Sequence, residues 1–325
     1  MTSPIASLHL GAPHVAGPLA VFPVFGPAPV LEYRAFAYAI ALGAFVKELD
    51  EGASVGDLLV ANLTDQPLLI FEGEEVLGAQ QNRTFDTSVL LAAAARATVP
   101  VSCVERGRWD GRRAHEHFRP SAQTADPSLR RTKRAELNLR AAAGMAMRAD
   151  QGEVWRAVDA RMARHAVDSP SDAMHDIYAA KRAELDQLGA DLEPEPGQLG
   201  AVACVSGRPV ALDVVSRPDA FAALLPRLAR GYALDALGAP ADPPEPSAAE
   251  KFLARACAGG RMSQPTPGLG RGLALAGQGV VGGGLEHDGE LIQLSAFPAQ
   301  DAPLPRRGED AGGRIARPSR RRRGS

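Results

Sequence analysis

Cysteine is scarce: the 325 residues hold three, Cys103, Cys204 and Cys257, too far apart for a CxxC pair. An odd, scattered set excludes a disulfide scaffold and fits a reducing, cytoplasmic setting. Aromatic residues make up only 5% of the chain, so a core has to be built mainly from Ala, Val and Leu. Apolar runs stop short of the ~18 residues that a membrane span needs; Ala35 to Val46 is closed off by Arg34 and Lys47. The first thirty-one residues lack Lys and Arg and are interrupted by six prolines, which argues against a secretory leader. A net charge of −2 argues against a dedicated nucleic-acid binder. No histidine falls in an HExxH or Cys/His metal-ligand spacing, and His115 and His117 read as loop residues.

What is present is the balance of a globular protein, 45% hydrophobic and 23% charged. The charge is uneven. Residues 301–325 carry eight Arg against Asp301, Glu309 and Asp310, a surplus of +5, and the rest of the chain sums to −7. This end, closing on Arg320-Arg321-Arg322-Arg323 amid Pro, Gly and Ser, cannot bury enough apolar area to fold and is expected to be a disordered basic tail. It is either a solvated end or a contact for nucleic acid or another polyanion.

Short apolar or alternating runs dominate the first third: Phe45–Leu49, Asp57–Asn62, Leu68–Phe71, Ser88–Leu91 and Val99–Val104, with a short helix over Ala35–Leu42. Turn stretches such as Leu63-Thr64-Asp65-Gln66-Pro67 lie between them. Connections this short favour antiparallel pairing, because a parallel pair needs a crossover. Helical spacing takes over in the middle, first over Ser128–Met147, then at Val154, Trp155, Val158 and Met162, then from Met174 to Leu188. Later come a strand pair (Leu199–Val205, Val210–Val215), a helix opened by Pro218, a short helix over Lys251–Cys257, and a hairpin over Val280–Leu294 turning at His287-Asp288-Gly289. The expected fold is α+β: an antiparallel β-rich N-terminal half (sandwich or roll), a helical insert, and a later strand-turn-strand-helix unit. The sections are 1–125, 126–195 and 196–300, packed as one compact domain, with the tail at 301–325.

Gly277-Gln278-Gly279-Val280-Val281-Gly282 matches GxGxxG, but no helix pattern follows to hold a pyrophosphate, so a dinucleotide fingerprint is rejected. The string from Phe71 to Arg83 is more unusual. It packs Glu72, Glu74, Glu75, Gln80, Gln81, Asn82 and Arg83 between apolar strands. In extended geometry Glu72 and Glu74 project to one side, where like charges divide acid and base roles. The amides and Arg83 offer donors for a sugar hydroxyl or phosphate. A polar hairpin turn explains the same residues equally well. In Val99–Trp109, the residues Val101, Cys103 and Glu105 share a strand face. Glu105 there either contacts a ligand or closes the strand end by pairing with Arg106 or Arg108, Trp109 offers a flat surface for a ring, and Cys103 reads as a small core residue. The run Arg130, Arg131, Lys133, Arg134 and Arg140 reads as a solvated helix face unless it attracts phosphate, and Asp213, inside an apolar strand, is expected to be paired.

FEGEEVLGAQQNR, VPVSCVERGRW, LRRTKR, QGEVW and the segment through LARGYALDAL together resemble a bacterial domain family named for its association with ADP-ribosylglycohydrolases and rhodanese-phosphatase superfamily proteins. The resemblance spans roughly residues 8–295, leaving the Arg-rich tail outside. It implies a place in ADP-ribose or NAD-derivative metabolism, with a nucleotide-like small molecule as ligand and enzymes of that pathway as partners. The combined expectation is a hydrolase of such nucleotides. Glu72, Glu74 and Glu105 serve as acid–base groups or hold a divalent ion such as Mg²⁺, while Arg83, Arg108, Gln80, Gln81 and Asn82 hold the substrate and Trp109 stacks a base. That expectation requires Glu72, Arg83, Glu105 and Arg108 to meet in one cleft. The alternatives are a non-catalytic ligand-sensing or partner-docking module and a protein that meets nucleic acid through its tail.

Overall fold

In the computed structural model, which describes residues 7–27, 31–189 and 192–299, strands dominate up to Thr124. They are β1 (His9–Leu10), β2 (His14–Ala16), β3 (Leu19–Phe25), β4 (Arg34–Ala35), then, after helix α1 (Phe36–Ala41), β5 (Phe45–Lys47), β6 (Asp57–Ala61) and β7 (Leu68–Ile70). Next come β8 (Glu74–Leu77), β9 (Arg83–Phe85), β10 (Val89–Leu91), β11 (Arg96–Cys103) and β12 (Arg119–Thr124). Four helices follow: α2 (Pro127–Ala142), α3 (Gln151–His165), α4 (Met174–Ala180) and α5 (Arg182–Gly189). The remainder alternates, with β13 (Gly200–Val205), β14 (Arg208–Val215), α6 (Pro218–Ala236), α7 (Pro246–Ala258), β15 (Gly260–Gln264), β16 (Arg271–Gly277), β17 (Val280–His287) and β18 (Glu290–Pro298).

The α+β class and the strand-rich first half are as expected. A nine-stranded antiparallel sheet runs β1-β3-β13-β14-β18-β17-β16-β15, with β2 on β3, so strands from both ends of the chain share it. A six-stranded sheet runs β12-β8-β9-β11-β6-β5 and a three-stranded one β10-β7-β4. Here β4 lies parallel to β7, an exception to the antiparallel expectation, because α1 and the two strands after it supply the crossover.

Period-2 alternation explains how β13 can be buried along its whole length. Ala201, Ala203 and Val205 pack with Phe221, Leu225 and Tyr232 of α6, whereas Val202 and Cys204 pack with Ala249, Phe252 and Ala256 of α7. A third apolar cluster, including Val60, Ile70, Phe85, Val99 and Phe118, fills the strand-rich first half.

Several boundaries differ from the sequence reading. The polar string after Phe71 itself forms β8 and β9, because cross-strand partners supply what its side chains do not advertise. Leu19–Phe25, Arg119–Thr124, Gly260–Gln264 and Arg271–Gly277 are further strands not anticipated. Helix α2 stops at Ala142 instead of running to Met147, since Gly144 turns left-handed at φ +66°. The rejected GxGxxG is a β-turn between β16 and β17. The basic tail lies outside the described residues.

Candidate functional site

The basic run on α2 behaves opposite to a solvated face. Asp126 caps the helix by accepting from Leu129 N, and Pro127 occupies its first turn. This sets the rotation so that Arg130, Lys133, Arg134 and Leu137, at i, i+3, i+4 and i+7, point inward, and all four are buried. Three cations therefore meet three buried carboxylates. Asp213 accepts a two-pronged bond from Arg130 (2.9 and 2.6 Å) plus hydrogen bonds from Tyr232 (2.7 Å) and Ser295 (2.7 Å). The Arg130 guanidinium lies between the Phe71 and Phe297 rings, 5.0 and 5.1 Å from their centroids. Lys133 spends its three donors on Thr84, the Phe85 carbonyl and Asp86 (2.9, 3.1 and 2.7 Å). Glu72 pairs with Arg130 (3.4 Å) and, in direct contact, with Arg134. Burial pulls Lys133 down despite Asp86, and pulls Arg134 down to about 10.

Arg134 is the member of this cluster that reaches open space. A cleft of about 640 Å³ lies between the 144–148 loop and the 263–267 segment, floored by Thr98 and Pro100. Arg148 donates to Asp57 (2.7 Å) among its lining residues. At the inner side, sharing Pro100, Met147 and residues 264–267, a narrower space of about 40 Å³ continues to Ser88 and Arg134. Three polar atoms of its lining residues have no protein partner: Arg134 Nε, Gln264 Nε2 and Thr266 Oγ1. Gly283 of β17 admits the guanidinium; a Cβ there would sit 2.5 Å from its central carbon.

The three carboxylates of Glu72-Gly73-Glu74-Glu75 go three separate ways, so the expected Glu72–Glu74 pair on one face is not formed. Gly73 turns the chain at φ +81°, and the Arg130 side chain passes 2.8 Å from where its Cβ would be. Glu74 accepts from Phe71 N (2.9 Å), and burial pushes it up to about 7 although Arg227 opposes the shift. Glu75 accepts from Gln123 (2.6 Å) and raises His175.

The remaining anticipated residues do gather, on the other side of the same strands. In the pairing of β9 with β11, Thr84 stands opposite Ser102 and Arg83 opposite Cys103. Thr84 and Ser102 face the α2 cluster, touching Lys133 and Asp86. Arg83 and Cys103 therefore face away from it. Convergence of Glu72 with Arg83, Glu105 and Arg108 does not occur, because the one-residue offset separates them across the sheet. Glu105 accepts both prongs of Arg108 (2.8 and 2.7 Å), Asn82 N (3.0 Å) and Ser171 (2.8 Å). Although burial opposes it, these bonds hold Glu105 below its usual range. Arg108 also donates to Ala79 O and Asn82 Oδ1, so Glu105 and Arg108 clasp the 78–82 loop. Arg106 instead joins Asp159 and Asp172. Gln81 accepts from Arg83 (3.1 Å) and from the Cys103 thiol (3.2 Å), whose acidity burial weakens. Trp109 is half-exposed, its ring centroid 5.9 Å from the Arg83 guanidinium carbon.

Sequence reasoning missed Arg130, Lys133 and Arg134 as site residues, and with them Asp86, Ser88 and Gln264. The usable signal was the i, i+3, i+4 spacing of the cations, read together with Asp213 as their counter-charge. Residues 7–297 match the ARG and Rhodanese-Phosphatase-superfamily-associated Protein domain. The chain belongs to that family. Both β9–β11 faces and the cleft lie within the matched residues, so they are parts of the ARPP-1 domain itself. The name associates ARPP-1 domains with two superfamilies and assigns no reaction. No curated protein and no solved structure matches the chain. Among the described residues, no helix is long and apolar enough to cross a membrane, and no three His, Cys, Asp or Glu side chains gather as a metal site.

Proposed function

We propose that this ARPP-1 domain binds a phosphate-bearing nucleotide of the ADP-ribose or NAD-derived class in the cleft beside Arg134. One observation carries the reading: a cleft of ligand size, about 640 Å³, narrows onto a buried guanidinium with an unpartnered N–H. A guanidinium already stripped of water gains most from an arriving anion. Gln264 and Thr266 add further polar groups at that end. Met145, Met147, Pro265 and Pro267 give the wider part apolar, polarisable walls suited to a flat ring.

Hydrolysis is the second reading, favoured by Glu72, which touches Arg134 directly behind the inner end. A carboxylate there is placed to orient water once an anion draws Arg134 forward. Glu72, Glu74 and Glu105 have separate partners, so no step is assigned to a divalent ion.

Thermal shift and calorimetry with ADP-ribose, NAD and AMP test the reading, with chromatography of the incubated ligand alongside. Binding is expected, weakened about tenfold in Gln264→Ala and more in Arg134→Met. Equal affinity in both variants, or no binding of any of the three, overturns it. Consumption of ligand that disappears in Glu72→Gln establishes the hydrolase; binding without consumption establishes a sensing module.

A further inference from the structure

Beyond the cleft, the opposite face of β9–β11 holds a second concentration of unsatisfied polarity. Arg83 is fully buried, yet only its Nη1 is used, by Gln81 and the Asn82 carbonyl. Its Nε and Nη2 have no partner. These two N–H groups lie on one edge of the guanidinium and point in parallel, the arrangement that fits two oxygens of a carboxylate or phosphate. Both oxygens of Glu48, a residue 2% exposed, also lack partners, as does the Gln80 side-chain carbonyl. Arg83 acts electrostatically on Glu48, and Glu48 also feels the Gln80 backbone N–H. Trp155 brings one more unpartnered N–H beside Cys103, the cross-strand neighbour of Arg83. Buried polar atoms are ordinarily satisfied, and this many exceptions around one guanidinium need an explanation.

A ligand that satisfies both halves of the group must carry acceptors on one side and a donor on the other. Water alone does not match the parallel edge, and a simple carboxylate has no proton for Glu48. A phosphate group at neutral pH has both: bare oxygens for the Arg83 edge, and a P–OH that donates to the Glu48 carboxylate or the Gln80 carbonyl. Sulfate has the same shape and no proton, so a carboxylate acceptor rejects it. We propose that Arg83, Glu48 and Gln80 form a second site, separate from the cleft, for a protonated phosphate group. Trp109, lying half-exposed over Arg83, covers it.

The test compares inorganic phosphate, sulfate and glycerol 3-phosphate at matched ionic strength, by thermal shift and calorimetry on the full chain. Inorganic phosphate is expected to raise the midpoint and sulfate to leave it unchanged. Arg83→Lys, which keeps the charge but loses the parallel edge, is expected to weaken phosphate binding at least about tenfold. In Glu48→Gln the new amide N–H donates to sulfate, so discrimination between the anions is lost while the fold stays intact by circular dichroism. Equal binding of glycerol 3-phosphate assigns the site to a terminal phosphate monoester; its exclusion assigns it to the free anion. The proposal is overturned if phosphate gives no shift, if sulfate matches it in the unaltered protein, or if binding survives Arg83→Lys. Binding lost in Arg134→Met but kept in Arg83→Lys moves the phosphate to the cleft and leaves only that reading standing.

Discussion

The two faces of β9–β11 differ by one residue in register and by everything in electrostatics. On the α2 side, three cations and three carboxylates are matched, and Asp213 and Lys133 reach full hydrogen-bond complements. On the other side, Arg83 and Glu48 are equally buried, yet their facing atoms remain unpartnered. Burying charge is costly on both faces, but only the first returns that cost through close, hydrogen-bonded pairs. The lesson is that burial of an ion does not by itself mark a structural or a functional role; what separates the two is whether its partners are already present. Arg134 sits between the extremes, paired through its Nη2 with Glu72 and unpartnered at its Nε.

The comparison breaks most visibly if the matched face is unbalanced. Asp213→Asn removes the charge that neutralises Arg130, and the expected loss is about 3–5 kcal/mol in urea unfolding. A loss below about 1 kcal/mol would show that the cluster is no better matched than the Arg83 face. Glu74 extends the contrast to a carboxylate with too little compensation. Its pKa rises on folding from 4.5 to about 7, so its contribution is fully present below pH 4.5 and is lost as pH rises through 7. That amounts to roughly 3 kcal/mol at most. Unfolding free energies from pH 4 to 8 should fall in the unaltered protein and flatten in Glu74→Gln; parallel curves would sink the assignment. Gly283→Ala pushes a methyl group onto the Arg134 guanidinium, with about 1–3 kcal/mol of destabilisation expected and weaker nucleotide binding alongside. Smallest is Glu48→Gln, which neutralises a carboxylate without a close partner. Stability at pH 7 should change by less than about 1 kcal/mol, in either direction. A drop as large as that of Asp213→Asn would erase the distinction between the faces.

Much of the scaffold was legible locally. The pairs Leu199–Val205 with Val210–Val215, and Val280–His287 with Glu290–Pro298, follow from alternation bounded by Ser206-Gly207 and Asp288-Gly289, residues at positive φ. Pro218 opens α6 and its apolar stripe covers β13 as the spacing requires. Strand β8 was hidden because Glu74 and Glu75 look like turn residues until Gln123 and the Phe71 N–H are brought to them. The candidate site was read half correctly: residues 80–83 and 103–109 do assemble, while Glu72 departs through the Gly73 turn.

Sequence alone determined the elements, because backbone preference, capping and apolar period act over a few residues. It also determined the family. What only tertiary structure decided was the fate of the charges. Arg130, Lys133 and Arg134 read as a wet helix face until Asp213, 83 residues away, and Glu72, 58 away, arrive to receive them. A buried cation is tolerable only where its counter-charge is held within a few ångströms, and that distance exists only after distant segments have packed.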